Sequence, residues 1–253
     1  MAELCLVDGM SRRVEASGVP RLGFVGSLAM YGYGAALLYL AIRFLIPFIL
    51  ANTHVEPVIA WFLAAGVGVF LPLIMAAAFL LFTEPPRHLA ALYARLWLHR
   101  MSRSDWRWTL AGAVVIAVLS APVAAILIHT YGRNAFRPDF LQFEPLRSGR
   151  YWILAAWLPF FAVNMLGEAF VWHSVMLPRQ VQSFGGSAWI ISGLGWGLFH
   201  VALWQILLSL FPTLFVIPYI VQRRANVWTG VILHILVNGP GFLAVALGVA
   251  SAT

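Results

Sequence analysis

The 253-residue chain contains no lysine and a single cysteine, Cys5, and only 10% of its residues are charged, against about a quarter in an average soluble domain. One cysteine cannot form an intrachain disulfide, so a disulfide-stapled scaffold is excluded. Acids are scarcest, nine against 16 basic residues, and every basic residue is arginine. Sparse charge excludes a disordered chain, and the lack of a glycine period excludes collagen.

What is abundant is apolar: 62% of the residues, with a mean hydropathy of +0.86. A water-soluble globule is therefore excluded. Crossing a bilayer core takes roughly 20 apolar residues, and the apolar runs supply about seven such crossings, within a range of six to eight. The sequence thus predicts an all-α, polytopic integral membrane bundle. The arginine excess reads as anchoring at the membrane edge, where a guanidinium snorkels easily, and not as nucleic-acid binding.

Residues 1–21 are polar, carry Arg12, Arg13 and Arg21, and lack the apolar core of a cleaved signal peptide; they read as a cytoplasmic tail. Residues 22–253 read as one transmembrane domain, with spans expected at 22–50, 57–82, 109–129, 151–177, from 188 through His200, up to Arg223 and Arg224, and at 227–249. Five arginines (Arg87, Arg95, Arg100, Arg103, Arg107) put the loop 83–108 in the cytoplasm by the positive-inside rule. Within it Leu89, Leu92, Tyr93 and Leu96 recur at helical spacing beside a stripe of Arg95, His99 and Arg103, which predicts an interfacial amphipathic helix. The loop 130–150 would be external, although Arg133, Arg137, Arg147 and Arg150 face only Asp139 and Glu144 there. The stretch 188–222 reads either as two short helices broken near Trp204 to Pro212 or as a tilted helix and a re-entrant piece.

After Glu144 the only acid is Glu168, inside an expected span. A carboxylate at that depth costs about 2.5 to 3.5 kcal/mol on insertion scales, which marks a functional site unless it merely ties helices together. Three pairs of polar or aromatic residues stand four apart and so share a helix face: Asn164 with Glu168, Trp196 with His200, and His234 with Asn238. Asn164 is placed to orient the carboxylate, and Trp196 to wall or orient the imidazole. One carboxylate, two imidazoles and a carboxamide can activate water and stabilise an oxyanion without a covalent nucleophile. Glu168, His200 and His234 also have the makeup of a two-His-one-carboxylate metal site, with zinc as the conceivable ion.

The segment Gly167 to Arg179, GEAFVWHSVMLPR, resembles the first motif of the CAAX protease and bacteriocin-processing (CPBP) family of intramembrane proteases, which includes the type II CAAX prenyl endopeptidases; that motif typically reads Glu-Glu-x-x-x-Arg. Trp196 to His200 resembles the second, an aromatic residue ahead of a histidine, and His234 to Asn238 the third, His-x-x-x-Asn. The resemblance covers 164–241 and implies a catalytic core at about 151–249. It implies that Glu168 activates water, that His200 positions water or substrate, and that His234 with Asn238 supports the water and the oxyanion. Asn164, Trp196 and His173 would support them. Two positions depart from the family: Ala169 stands at the second Glu, and His173 at the Arg, where an α-helix would set it about 140° away from Glu168.

The expected activity is therefore hydrolysis of a peptide bond in a membrane-associated protein or peptide by Glu-activated water, with no cofactor. The expected partners are membrane lipids and a membrane-anchored protein or peptide substrate, in a prokaryotic cell membrane with the N-terminus cytoplasmic. The alternative is an inactive CPBP-fold scaffold or binding protein, such as an immunity or sorting accessory. A proton-coupled transporter would need paired repeats and further buried charges.

Overall fold

A computed structural model describes residues 18–84, 88–132, 138, 140 and 144–248. Most of the expected N-terminal tail, with Cys5, Arg12 and Arg13, lies outside the described residues, as do Arg87, Arg133, Arg137 and Asp139. The described helices are α1 (Phe24–Asn52), α2 (Pro57–Thr83), α3 (Leu89–Arg95), α4 (Arg103–Tyr131), α5 (Trp152–Met165), α6 (Leu177–Phe184), α7 (Ala188–Phe199), α8 (Trp204–Arg224) and α9 (Val227–Ala246). There are no strands among the described residues. The chain is an all-helical, polytopic membrane protein, and its exposed apolar side chains, such as Phe44, Phe79, Val118 and Leu208, face outward as lipid requires.

Six of these helical segments are long and apolar enough to cross a membrane. The fourth, Trp152–Leu203, has 52 residues. At 1.5 Å per residue it would measure about 78 Å against a hydrocarbon core of about 30 Å, so it does not cross as one rod. Gly185, at φ +54°, turns the chain through a short 3-10 segment, Gly185–Ser187. α7 then runs back along α6 and the helix before it. Seven apolar runs and six continuous apolar helices are thus the same chain, because two runs join across that turn.

Elsewhere the boundaries move for local reasons. α4 starts at Arg103, six residues before the expected span, because Ser102 and Asp105 form a reciprocal capping box: Asp105 N–H donates to Ser102 Oγ at 3.1 Å and Ser102 N–H to Asp105 Oδ2 at 2.8 Å. The uncertain stretch 188–222 breaks at His200–Leu203, and α8 runs unbroken through Pro212 and Pro218.

Helix ends are tied by charge at one end of the bundle. Glu84, just after α2, receives Arg95 of α3 and Arg179 of α6; Arg179 Nε donates to Glu84 Oε1 at 3.2 Å, and both arginines also reach Oε2. The two guanidinium side chains are 0% and 2% exposed. Arg224 Nε donates to Asp105 Oδ1 at 2.7 Å, and Val227 N–H donates to the Trp97 carbonyl at 3.0 Å, which brings α4, α8 and α9 together. The opposite end is joined by Arg150 to Glu56, by Leu146 N–H to the Ala246 carbonyl at 2.9 Å, and by Trp61 stacked on Phe140 with centroids 4.9 Å apart. The Glu56 carboxylate raises the pKa of the Arg150 guanidinium above its ordinary value.

The helix expected in 83–108 is present but short, and its polar stripe differs. It covers Leu89–Arg95, Trp97 turns left-handed at φ +54°, and His99 lies between it and α4. Arg95 is buried on Glu84 instead of lining a polar stripe, while Leu89 and Tyr93 are exposed. The ion pair outweighs the amphipathic pattern because a buried guanidinium has to be matched by a carboxylate.

Glu84→Gln leaves two buried guanidinium groups facing a neutral amide. It is expected to cost about 3 to 5 kcal/mol, read as a lowered thermal midpoint of the purified protein in detergent; an unchanged midpoint would show that this carboxylate does not hold the end together.

Candidate active site

Glu168 lies in a π-helical stretch, Leu166–Met176, that links α5 to α6. Its i→i+5 ladder is rare over eleven residues and changes which side chains share a face. Gly167 admits this stretch against α2: a Cβ there would meet Phe70 Cβ at 2.6 Å and its backbone Cα at 3.0 Å, so any larger residue would drive Glu168 away.

The Glu168 carboxylate is 4% exposed and gathers donors from two helices. Asn164 Nδ2 donates to Oε1 at 2.7 Å from the preceding turn, and Trp196 Nε1 of α7 donates to Oε2 at 3.0 Å. His200 Nε2 stands 3.4 Å from Oε2. His200 Nδ1 is 2.9 Å from the Trp196 carbonyl, and because a carbonyl only accepts, Nδ1 carries a proton. The Nε2 to Oε2 contact is then favourable when one further proton lies on it, held by the imidazolium or by the carboxyl group.

Trp196 is the hub. Its indole stands beside the His200 imidazole, as their four-residue spacing predicts, gives its N–H to the carboxylate, and has the rings of three histidines around it. Centroid distances are 4.9 Å to His173, 5.2 Å to His234 and 5.9 Å to His200. On α9, Asn238 Nδ2 donates to His234 Nε2 at 2.7 Å. Glu168, His200 and His234 are buried and Asn238 is partly exposed, so the amide marks the rim of the cluster.

His173 departs from the expected geometry. An α-helix would set it about 140° from Glu168, but the π ladder stacks residues five apart, and both side chains reach the same indole. The two do not bond: neither ring nitrogen of His173 has a hydrogen-bond partner among the described residues. The ring lies against α9 beside Gly230, where a Cβ would stand in ordinary contact at 3.5 Å from His173 Cδ2 but would collide with Val221 Cγ2 at 2.5 Å. Ala169 is fully buried. The π geometry and the Gly167 and Gly230 contacts are not signalled by residue spacing, though a glycine directly before the lone acid is a visible trace of the first.

Among the described residues no three His, Cys, Asp or Glu side chains are grouped to hold a metal ion.

The fold and this cluster define a class: a polytopic helical membrane protein with an acid and histidines from three helices meeting inside the bundle. Residues 150–239, which contain every member of the cluster, match the family described as Type II CAAX prenyl endopeptidase Rce1-like, and this segment is a domain of that kind, in keeping with the CPBP resemblance. No curated protein and no solved structure matches the chain.

Trp196→Phe keeps an aromatic ring among the three histidines but removes the donor to Oε2. It is expected to lower stability in detergent by about 1.5 to 3 kcal/mol, the range for a hydrogen bond to a charged group; a variant as stable as the wild type would show that the indole N–H is not what holds the carboxylate.

Proposed function

We propose that the protein is an intramembrane endopeptidase that hydrolyses a peptide bond of a membrane-anchored protein or peptide, with Glu168 as general base. The observation that carries this reading is the Glu168 to His200 contact, within a segment that matches a protease family. Asn164 and Trp196 each occupy one lone pair of the carboxylate and fix its orientation, leaving further acceptor positions for a water molecule.

In this mechanism Glu168 takes a proton from water as the oxygen attacks the scissile carbonyl carbon, forming a tetrahedral oxyanion. His200, with its Nε2 toward the carboxylate, positions the water and shares the abstracted proton. Asn238 and His234 lie on the facing helix, where an amide N–H and an imidazole can stabilise the oxyanion. The proton then passes to the departing nitrogen as the C–N bond breaks, giving a carboxylic acid and an amine. No step needs a metal.

The same reading treats 22–253 as one transmembrane unit with its working core at 151–249, and sets the arginine-rich 83–108 end in the cytoplasm of a prokaryotic cell by the positive-inside rule. The alternative, an inactive scaffold of the same fold, is favoured by Ala169 and His173, which replace an expected Glu and Arg.

Glu168→Gln is nearly isosteric and keeps an acceptor, yet cannot take a proton from water. Profiling of new protein termini in membranes of cells that express wild type or E168Q is expected to reveal cleavage products in the wild type alone, with both proteins inserted to the same level. Products that persist in E168Q would refute the mechanism, and a variant that keeps the cellular phenotype with lowered thermal stability would favour the scaffold. His200→Ala and Asn238→Ala are expected to lower cleavage by about 10- to 1,000-fold, as losses of proton transfer or of one oxyanion donor do.

A further inference from the structure

A groove of about 380 Å³ opens at the arginine-rich end, away from the cluster around Trp196, between the segment joining α3 to α4 and the first turns of α9. Its wall is apolar, built from Leu98, Met101 and Ile232, and Tyr93 and Trp228 flank it, 55% and 44% exposed. Arg100 and His99 stand at its mouth, both exposed. We propose that this groove is a binding site for an anionic phospholipid, with an acyl chain along the apolar wall and the phosphate on Arg100.

Three observations lead there. First, the level is that of a membrane surface: α4 begins at Arg103 and α9 at Val227, and exposed Tyr and Trp are the side chains that settle at headgroup depth. Second, the charge at this end is not balanced. The carboxylates of Glu84 and Asp105 are taken by Arg95, Arg179 and Arg224, whereas Arg100, Arg103 and Arg107 have no acidic partner among the described residues. Of these three only Arg100 lines the groove, so the groove offers one unmatched guanidinium, a group whose planar fork suits phosphate. Third, the walls are fixed to each other: Val227 N–H bonds the Trp97 carbonyl, and Trp97 holds a left-handed turn just before Leu98, so the site is formed in advance and a ligand does not have to order it. A volume at the low end for ligand sites holds a headgroup and the start of one chain while the remainder of the lipid stays in the bilayer. This site stands whether or not Glu168 cleaves peptides, because it lies on different residues.

The test is native mass spectrometry of the full-length protein titrated in detergent with phosphatidylglycerol or phosphatidylcholine, for wild type, Arg100→Gln and Arg107→Gln. Phosphatidylglycerol is expected to bind the wild type more tightly than phosphatidylcholine, with binding about fivefold weaker in R100Q, the loss of one basic contact at a membrane surface, and little changed in R107Q. Arg100 is exposed and makes no ion pair among the described residues, so R100Q is expected to melt as the wild type does. Equal binding of the two lipids, or equal weakening in both variants, would overturn the proposal by reducing it to general surface charge. Displacement of phosphatidylglycerol by inorganic phosphate alone would assign the site to a free anion, and displacement by a soluble poly-glutamate peptide would assign it to an acidic protein segment; either result would overturn the lipid assignment.

Discussion

Inside a bilayer no solvent is available to receive a stranded proton donor or charge, and this constraint organises the molecule at every level. The carboxylates at the arginine-rich end collect guanidinium groups from other helices: half-buried Glu84 joins α2, α3 and α6, and buried Asp105 joins α4 and α8. These contacts fix where helices enter the membrane. Glu168, deeper in the bundle, is handled differently. Among the described residues no arginine reaches it; it is met by an amide, an indole and an imidazole. A carboxylate pinned by arginine is a poor base, because the fixed cation holds its proton affinity down. Around Glu168 neutral polar groups take that place and orient the carboxylate.

The same contrast explains how two departures from the family pattern coexist with an intact cluster. A charged partner at position 173 would have to be balanced by a second acid, and position 169 would supply it; with Ala169 and His173 both the charge and its balance are gone, and the space is filled by apolar contact. His173 accordingly packs edge-on against Trp196 and beside Gly230 of α9.

Much of this was legible in the residues. Long apolar runs located the crossing helices within a few positions, since burial in lipid leaves no other reading. The four-residue spacings of Asn164 with Glu168 and of His234 with Asn238 correspond to hydrogen bonds in the structure, because in each case a single helical turn separates the partners. What was not legible depends on tertiary pairing or on a change of helical period. Arg95 looks like part of a solvated stripe until Glu84 and Arg179 are brought beside it. Arg150 seems to lack a partner within its own loop because Glu56 is 94 residues away. The offset between Glu168 and His173 is misjudged because an α-helical wheel is the wrong wheel for that stretch.

The π-helical stretch gives the chain an unusual sensitivity to its own length. In an α-helix, adding or removing one residue rotates everything beyond it by about 100°, and most sequences absorb this only at loops. Here the extra residue per turn is already built into Leu166–Met176, and it is what aims Glu168 and His173 at a common indole while Gly167 threads past Phe70. Along this segment the number of residues therefore carries more of the design than most of their identities do. Divergence by substitution, as at Ala169 and His173, leaves the register of the site intact, whereas divergence by a single insertion or deletion would dismantle it at once.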